Sequence, residues 1–546
     1  MKKLIGTSLL LALTVFSALA NSNSKAIEYF KFGLNSAAQK MLEEELNSGK
    51  QTPQEKAEVY YYLGEIAFAD DQKTAAADNY KKGETSDPTY IYNKIGQTKL
   101  QLATNVAAAE KELASISKSN KKDIAVLVAV GRAYLENNLF DKTAKQIADI
   151  KNSINLSKPD SKYAQFFVLE GDLRQAEFQK TGVNEKINEA VSAYSQAIYF
   201  DKQCKEAYAK YARIINEVNP NAAIAKLNEL LKIDPSSHLA YREIGNIYYQ
   251  QKEYAKAAEN YAKYVENDKY SISEFYKYAI ILYYKGDYEK SLEVVNKALA
   301  VEPNNVELNR YYYYNNIKLK NPASISIAEK YLALPNAKFT ANDYVLYANL
   351  LKDQKRVDEA IAQYEKALKI DSTEVSVYKD LGDIYKFQQD FNNAVVNYKK
   401  YVEKAQAITN DYFLLGQCYY YAAVADAAAA DTKALYLKEA DSTFALVVEK
   451  MPTYHFGNFW RARVQSQLDP ESKKALAKPY YEAAAEILGK ETPTKYPNDL
   501  IECYRYLSSY YANVSDLKNT KLYLNKILEV DPKDAIATKA LRDLKK

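Results

Sequence analysis

Two stretches of the sequence decide the fold: residues 241–261 read YREIGNIYYQQKEYAKAAENY, and residues 378–398 read YKDLGDIYKFQQDFNNAVVNY. Aligned without a gap, the two stretches share a tyrosine at their first, eighth and last positions, a glycine at the fifth and an alanine at the seventeenth. Apolar and aromatic residues recur at the three- and four-residue spacing of amphipathic helices. The alignment therefore indicates a repeated helical unit.

The small residues of these stretches belong to a series with a regular period. Successive members are separated by 33, 34, 69, 34 and 34 residues: Ala212, Gly245, Ala279, Ala348, Gly382 and Gly416. The chain of 546 residues holds only 15 Gly and 14 Pro, and a β-rich fold would need more turn residues than this. The period and the composition together predict an all-helical repeat protein.

The spacing resembles that of the tetratricopeptide repeat family, whose 34-residue unit is a pair of antiparallel helices. The family pattern has an aromatic at position 4, a small residue at 8, Tyr at 11, Ala at 20, an aromatic at 24 and Pro at 32. Residues 60–88 fit it with Tyr60, Gly64, Ala76, Tyr80 and Pro88. The resemblance implies an all-α fold, a right-handed α-solenoid of about 12–13 repeats, of the exported bacterial, Bacteroidetes-like type.

The repeat pattern covers nearly the whole chain, although unevenly. We expect a truncated helix pair over 21–56, the repeat array over 57–534 and a capping helix over 535–546. The array is degenerate over 92–160, 305–340 and 453–489, and an Ala-rich insertion over 422–435 is expected to extend the first helix of its unit. A long connection between two helices is expected around Gly182.

The first twenty residues have the features of a cleavable signal peptide. Lys2 and Lys3 precede an apolar run, and Ala18-Leu19-Ala20 forms an A-x-A cleavage site. Cleavage would lower the net charge from +4 to +2, because 72 basic residues then face 70 acidic ones. We therefore predict a periplasmic or secreted protein with no transmembrane segment in the mature chain, no lipid anchor and no nucleic-acid partner.

The sequence offers little for catalysis or for metal and cofactor binding. The two histidines, His238 and His455, follow prolines between repeats and are expected to be exposed turn residues. No phosphate-binding, nucleophile or zinc motif occurs. Three cysteines cannot all pair, and the sequence leaves open whether any two of them do: Cys204, Cys418 and Cys503. We predict a protein that is not an enzyme and has no cofactor.

The resemblance implies a concave groove lined by the first helix of each unit, mainly at positions 2, 5, 9, 12 and 13. Mapped onto this sequence, those positions give the candidate partner-binding residues Tyr61, Phe68, Arg213, Asn216, Arg242, Asn246, Tyr249, Tyr276, Tyr283, Tyr284, Lys379, Lys386, Phe413, Gln417, Tyr420, Tyr421 and Arg505. Several tyrosines lie at positions 12 and 13, beyond the positions that repeat packing requires, and tyrosine is favoured at protein interfaces.

Two hypotheses follow for these groove residues. The first is a scaffold or adaptor of the bacterial cell envelope that binds protein or peptide partners through the groove. The alternative is a module for glycans or envelope polymers, in which the groove tyrosines stack on sugar rings. A third interpretation is that any single aromatic among them only packs in the core, since aromatics at helical spacing usually belong to the core.

Overall fold

The computed structural model describes residues 22–158, 160–266, 272–425, 429–490 and 493–544. The predicted signal peptide, residues 1–20, lies outside the described residues. Within the described ranges the regular structure comprises 29 α-helices and one short 3-10 turn, with no strand. The predicted all-α fold class is therefore confirmed.

The chain divides into two compact units, one ending at Asn321 and the other beginning at Pro322. The helices of the N-terminal unit are α1 (Ser22–Lys31), α2 (Asn35–Ser48), α3 (Pro53–Ala69), α4 (Lys73–Ser86), α5 (Tyr92–Gln101), α6 (Val106–Ser119), α7 (Ile124–Leu135), α8 (Phe140–Ser153), α9 (Ala164–Thr181), α10 (Asn184–Phe200), α11 (Lys205–Asn216), α12 (Pro220–Ile233), α13 (His238–Gln250), α14 (Tyr254–Val265), α15 (Ile272–Lys285), α16 (Tyr288–Leu299) and α17 (Val306–Lys318). The division falls inside the stretch 305–340 that was predicted to be degenerate.

The C-terminal unit continues the same pattern of short helices. Its helices are α18 (Ser324–Leu332), α19 (Ala341–Asp353), α20 (Val357–Ile370), α21 (Val375–Phe387), α22 (Phe391–Lys404), α23 (Thr409–Val424), α24 (Ala430–Lys450), α25 (His455–Leu468), α26 (Lys478–Leu488), α27 (Pro497–Asn513), α28 (Leu517–Val530) and α29 (Ala535–Asp543). In each unit consecutive helices form pairs joined mostly by short turns, and the pairs stack as an α-solenoid.

The small residue at position 8 fixes the distance between the two helices of a pair. A Cβ atom added to Gly245 would lie 2.5 Å from the ring of Tyr261, and one added to Gly171 would lie 2.4 Å from Tyr194. Tyr80 is enclosed on both sides, since a Cβ at Gly64 or at Gly96 would come within 2.4 Å of its ring. At these glycines the absence of a side chain lets the aromatic at position 24 fill the space, whereas the repeat with Ala348 at position 8 buries its aromatic, Tyr364, with a methyl group present.

The turn between the helices of a pair is equally regular. In seven repeats the backbone takes a left-handed conformation, with φ between 57° and 88°, seven residues after position 8: Asp71, Asn138, Lys252, Gly286, Lys355, Gln389 and Ser515. One of these seven residues is glycine, the residue type for which this conformation carries no steric cost. The repeated turn geometry is therefore imposed by helix packing rather than by local sequence preference.

One sequence-based expectation about connections is wrong, and a second holds only in part. Helices α9 and α10 are joined by Gly182 and Val183 alone, because the extra residues lengthen the helices to 18 and 17 residues instead of lengthening the loop. The Ala-rich stretch extends the first helix of its unit as expected, but only as far as Val424. Its last part, from Ala430, opens the 21-residue second helix α24 instead, and residues 426–428 lie outside the described ranges.

Candidate interaction surface

The surface formed by positions 2, 5, 9, 12 and 13 of the first helices, here called the first-helix surface, holds the predicted groove residues. Its charged members form ion pairs between successive first helices. The Arg242 guanidinium donates to both carboxylate oxygens of Glu274, at 2.9 Å each. Arg213 likewise binds Glu243, and Arg505 binds Asp534 at 2.6 Å. In the C-terminal unit Lys379 binds the buried carboxylate of Asp411.

A second set of contacts uses the polar residue at position 9. The hydroxyl of the tyrosine at position 24, fifteen residues later, donates to it in four pairs: Tyr80 to Glu65, Tyr261 to Asn246, Tyr364 to Asn349 and Tyr398 to Asp383. The tyrosine at position 24 therefore fills the space above the glycine and also satisfies the neighbouring polar side chain. Asn246, predicted as a groove residue, is one of the acceptors.

Lys99 and Glu65 form a buried ion pair in the N-terminal unit. The Lys99 ammonium lies 2.8 Å from Glu65 and 2.8 Å from Glu136, above the ring of Phe68 at 4.1 Å. Burial alone would lower the pKa of Lys99, but the two carboxylates outweigh it and raise that pKa. The repeat pattern does not single out Lys99, although the opposite charges of Glu65 and Lys99, one repeat apart, are a signal for this pair.

Arg132 joins three first helices of the N-terminal unit. It reaches Asp172 on α9 at 3.1 Å and Glu206 on α11 at 3.4 Å, so α7 and α11 approach each other across α9. The first-helix surface therefore bends inward here. Burial raises the pKa of Glu206, but Lys210, Arg132 and Lys31 outweigh burial and lower it to about 2.

A connected group of tyrosine rings, the tyrosine cluster, lies in the N-terminal unit on the first helices α13, α15 and α17 and at the starts of the second helices α14 and α16. Neighbouring ring centroids lie between 5.3 and 6.0 Å apart, and the members are Tyr249, Tyr254, Tyr276, Tyr283, Tyr284, Tyr288, Tyr311 and Tyr314. Tyr284 is 52% exposed, whereas Tyr311 and Tyr314 are buried beneath the others. The Tyr276 hydroxyl donates to Glu307 at 2.9 Å. The cluster thus has a fixed base and an accessible edge.

The C-terminal unit has its own aromatic group around Trp460, the single tryptophan of the chain. In this tryptophan cluster the Trp460 ring stacks on Phe444 and contacts Phe413, Tyr420 and Tyr421 at centroid distances of 5.3 to 6.1 Å. Trp460 is 4% exposed, while Phe413, Tyr420 and Tyr421 are half-buried. The repeat pattern predicts Phe413, Tyr420 and Tyr421 as residues of the first-helix surface. It does not identify Trp460, because the repeat that contains Trp460 is degenerate.

The remaining predicted groove residues make smaller contacts. Asn216 donates to Gln250 at 2.5 Å, and Lys386 donates to Gln417 at 3.3 Å. Tyr61 packs among Tyr62, Tyr80, Tyr90 and Tyr92. The structure therefore brings the aromatic candidates together in two clusters and a smaller group at Tyr61, and it uses most of the charged and amide candidates for contacts between helices.

The N-terminal helix α1 lies against the first-helix surface of its own unit. The Tyr29 hydroxyl is 2.9 Å from Nε2 of His238, and the Glu28 carboxylate is 3.1 Å from Lys205. Arg213 donates to the main-chain oxygen of Phe32 at 3.0 Å. Nothing in the local sequence pattern predicts contacts between residues separated by 177 to 209 positions.

Neither histidine is the exposed turn residue that was expected. His238 contacts Tyr29 and stacks on Tyr264, and His455 is buried with Nε2 3.2 Å from Asp499. The three cysteines, all in described ranges, are buried free thiols. Burial raises the pKa of Cys204 to about 11. The described residues contain no group of His, Cys, Asp or Glu that could hold a metal ion.

Comparison with known proteins identifies the repeat. A family model described as a tetratricopeptide repeat matches residues 219–272, and one described as a TPR repeat matches residues 348–389. A TPR repeat-containing protein of Methanocaldococcus jannaschii is 26% identical over 199 residues, which is 34% of this chain and 34% of that protein. The chain thus covers about a third of the length of this relative.

The solved structures that resemble parts of this chain include two tetratricopeptide repeat proteins. The C-terminal part of a TPR repeat-containing protein from Cytophaga hutchinsonii is 28% identical, covering 49% of this chain and 99% of that one with a TM-score of 0.38. A tetratricopeptide repeat protein from Parabacteroides merdae is 17% identical, covering 54% and 99% with a TM-score of 0.31. None of the helices in the described part of this chain has the length and apolar character needed to cross a bilayer. The chain carries tetratricopeptide repeats in both of its units.

Proposed function

We propose that this protein is a non-enzymatic interaction scaffold of the bacterial cell envelope, and that it binds protein or peptide partners through its first-helix surface. Tetratricopeptide repeats are in general scaffolds for protein interaction, and their mechanism is surface contact without a chemical step. The predicted signal peptide supports the location, since residues 1–20 combine a basic start, an apolar run and a cleavage site.

The observation that carries the proposal is the tyrosine cluster. Repeat packing uses the tyrosines at positions 4, 11 and 24, whereas Tyr249, Tyr283 and Tyr284 lie at positions 12 and 13. Tyrosine offers a large contact area and a hydroxyl while losing little conformational entropy on binding. The half-buried rings of Tyr254 and Tyr283 contact Tyr284 and hold it in place, so a partner would bind an ordered surface.

Photo-crosslinking in intact cells tests the proposed surface. A photoreactive phenylalanine analogue replaces Tyr284, which is 52% exposed on the first helix α15, or Tyr199, which is 60% exposed on the second helix α10. We expect crosslinked partner bands at position 284 and none at position 199. Equal labelling at both positions, or none at 284, would contradict the proposal.

Two further measurements complete the test. A glycan array on which the wild-type chain binds and the Tyr284→Ala variant does not would favour the alternative of a sugar ligand. Cell fractionation followed by N-terminal sequencing checks the location, with Asn21 expected as the first residue of the exported chain. A cytosolic chain that retains Met1 would contradict the envelope location.

A further inference from the structure

Helix α1 occupies part of the first-helix surface at a site defined by Lys205, Glu206, Arg213 and His238, here called the α1 site. Lys205, Glu206 and Arg213 are positions 1, 2 and 9 of their repeat, and positions 2 and 9 are groove positions of the family pattern. The polar contacts of α1 and of the residue after it with the site are Glu28 with Lys205, Lys31 with Glu206, Tyr29 with His238, and the Phe32 oxygen with Arg213; the rings of Tyr29 and His238 also pack at 5.6 Å.

The apolar side of the same helix is covered as well. Ala26, Tyr29 and Phe32 are at most 2% exposed, and Phe30 packs edge-on against Tyr62 of α3 at 6.0 Å. Helix α1 therefore lies between α3 on one side and α11 and α13 on the other. It fills space that the first helices enclose where α7 and α11 approach each other.

Helix α1 contacts the first-helix surface in addition to its own partner helix α2. Helix α2 contains no aromatic residue, as is also true of α6 and α12, so this pair lacks the packing of an aromatic ring on a glycine that occurs at Gly64, Gly171 and Gly245. Ten residues are too few for a helix that is stable alone in water, so the order of α1 depends on what it contacts. Gly33, at φ 78°, separates α1 from α2 and has open space around it.

We propose that α1 is an intramolecular ligand of the α1 site, and that the partner of this site is an amphipathic helix that presents the same face and displaces α1. The partner helix would carry an acid followed by a tyrosine and, three residues after the tyrosine, a large apolar residue, as in Glu28, Tyr29 and Phe32. The acid pairs with Lys205 and the tyrosine hydroxyl with His238. This inference rests on the proposed function, because it requires that the first-helix surface binds partners.

The test uses the mature chain and a fluorescein-labelled peptide of residues 22–34. In the variant Glu28→Lys/Tyr29→Ala, α1 loses its two strongest side-chain contacts with the site. We expect the peptide to bind this variant at least tenfold more tightly than the wild type, in which α1 competes. The control variant Glu43→Lys, a charge reversal on the exposed side of α2, should behave as the wild type does. The same two substitutions placed in the peptide should abolish binding.

Hydrogen–deuterium exchange separates release of α1 from unfolding. In the double variant, amides of residues 24–33 should exchange at least tenfold faster while α11 and α13 keep their protection, and added peptide should increase the protection of α11 and α13. Loss of protection in α11 and α13 would mean that α1 is an integral part of the unit and would overturn the proposal. Unchanged protection of α1, or failure of the peptide to bind a variant with released α1, would also overturn it.

The two proposals can fail separately. If Tyr284 crosslinks a partner but the peptide does not bind, the scaffold function stands and the role of α1 is refuted. If the peptide binds but position 284 crosslinks nothing in cells, the intramolecular contact stands and the proposed partner surface is refuted.

Discussion

Replacing the glycine at position 8 by alanine tests how the repeats pack. At Gly245 the new Cβ atom would lie 2.5 Å from Cδ2 and 3.0 Å from Cε2 of Tyr261. Carbon atoms in contact prefer separations of about 3.5–4.0 Å, so the ring must move by about 1 Å. Tyr261 is fully buried, and its hydroxyl bonds to Asn246 at 2.5 Å. The ring cannot move that far without separating the helices or losing the hydrogen bond.

The expected magnitude is the difference between two opposing effects. Overpacking a close-packed site costs roughly 1–3 kcal/mol. Alanine in a helix is roughly 0.5–1 kcal/mol more favourable than glycine. We therefore expect Gly245→Ala to lower the local free energy of unfolding by roughly 1–2 kcal/mol. At Gly382 the nearest ring atoms of Tyr398 are 3.0 Å from the new Cβ, so a smaller shift suffices and the two effects should nearly cancel.

Hydrogen–deuterium exchange of α13 and α14 measures the local change, because a chain of this length is not expected to unfold in a single step. A loss of about 1.4 kcal/mol corresponds to a tenfold faster exchange of amides that open locally. Gly382→Ala, followed in α21 and α22, is the matched control and should change exchange by less than about threefold. Equal effects at the two glycines, or stabilisation at Gly245, would refute the account of how position 8 sets the helix spacing.

Three further changes probe the charges and the turns. Lys99→Met leaves the buried Glu65 carboxylate without its cation and should cost roughly 3–5 kcal/mol of local stability, measured by exchange of amides in α5. Lys94→Met in an exposed pair on the same helix should cost less than about 1 kcal/mol, and similar losses would contradict the assignment. Because the pKa of Glu206 is lowered to about 2, its contribution to stability is present above the ordinary pKa of a glutamate and is lost as the pH falls towards 2. Local exchange of α11, corrected for the intrinsic rate at each pH, should show a loss of roughly 3 kcal/mol between pH 5 and pH 2 in the wild type that Glu206→Gln lacks, and parallel pH profiles would refute this. Gly286→Ala should destabilise its repeat by roughly 1 kcal/mol. The left-handed backbone is the only cause, since the new Cβ would meet open space. Gln389→Gly should stabilise its repeat, and local hydrogen–deuterium exchange measures both changes.

The sequence predicts the helix pairs well because the pairs depend on residues with a fixed spacing. Gly245 and Tyr261 are sixteen positions apart, and the same spacing recurs at Gly64 and Tyr80 and at Gly382 and Tyr398. Each of these pairs touches in the folded chain. The same steric contact between a small residue and a ring recurs in many repeats. The residues that make it therefore recur at a fixed period, and this period is visible in a single sequence.

The turns and the connections are marked less clearly in the sequence than the helix pairs are. The left-handed residue at position 15 is Lys252 in one repeat and Gln389 in another, and neither side chain marks a positive φ. The connection at Gly182 was misjudged because an insertion can lengthen either a loop or its flanking helices, and the residues around it suit both. Helix length there is decided by packing against neighbouring pairs, which the local sequence does not encode.

The candidate site was predictable only in part. Groove positions identify which side chains lie on the first-helix surface, but they do not tell which of them are already occupied. The pattern makes Arg242 a partner-binding candidate, but Glu274, 32 residues later, accepts from its Nε and Nη2 groups, and Glu243 accepts from its Nη1 group. The position of α1 could not be inferred at all, because its contacts are neither local nor periodic.

The charged residues of the first-helix surface mostly bind one another, whereas the edge of the tyrosine cluster at Tyr284 is exposed. An ion pair such as Arg242 with Glu274 fixes the register of two successive first helices, and a partner that used the same charges would have to break it. A partner bound as proposed at Tyr284 would meet a side chain that is 52% exposed and would not have to break an ion pair between helices. The α1 site differs from the tyrosine cluster, because its polar side chains already pair with α1. A partner helix would have to replace each of these polar contacts. Binding at the tyrosine cluster should therefore depend on contact area, and binding at the α1 site on the match of an acid and a hydroxyl to Lys205 and His238.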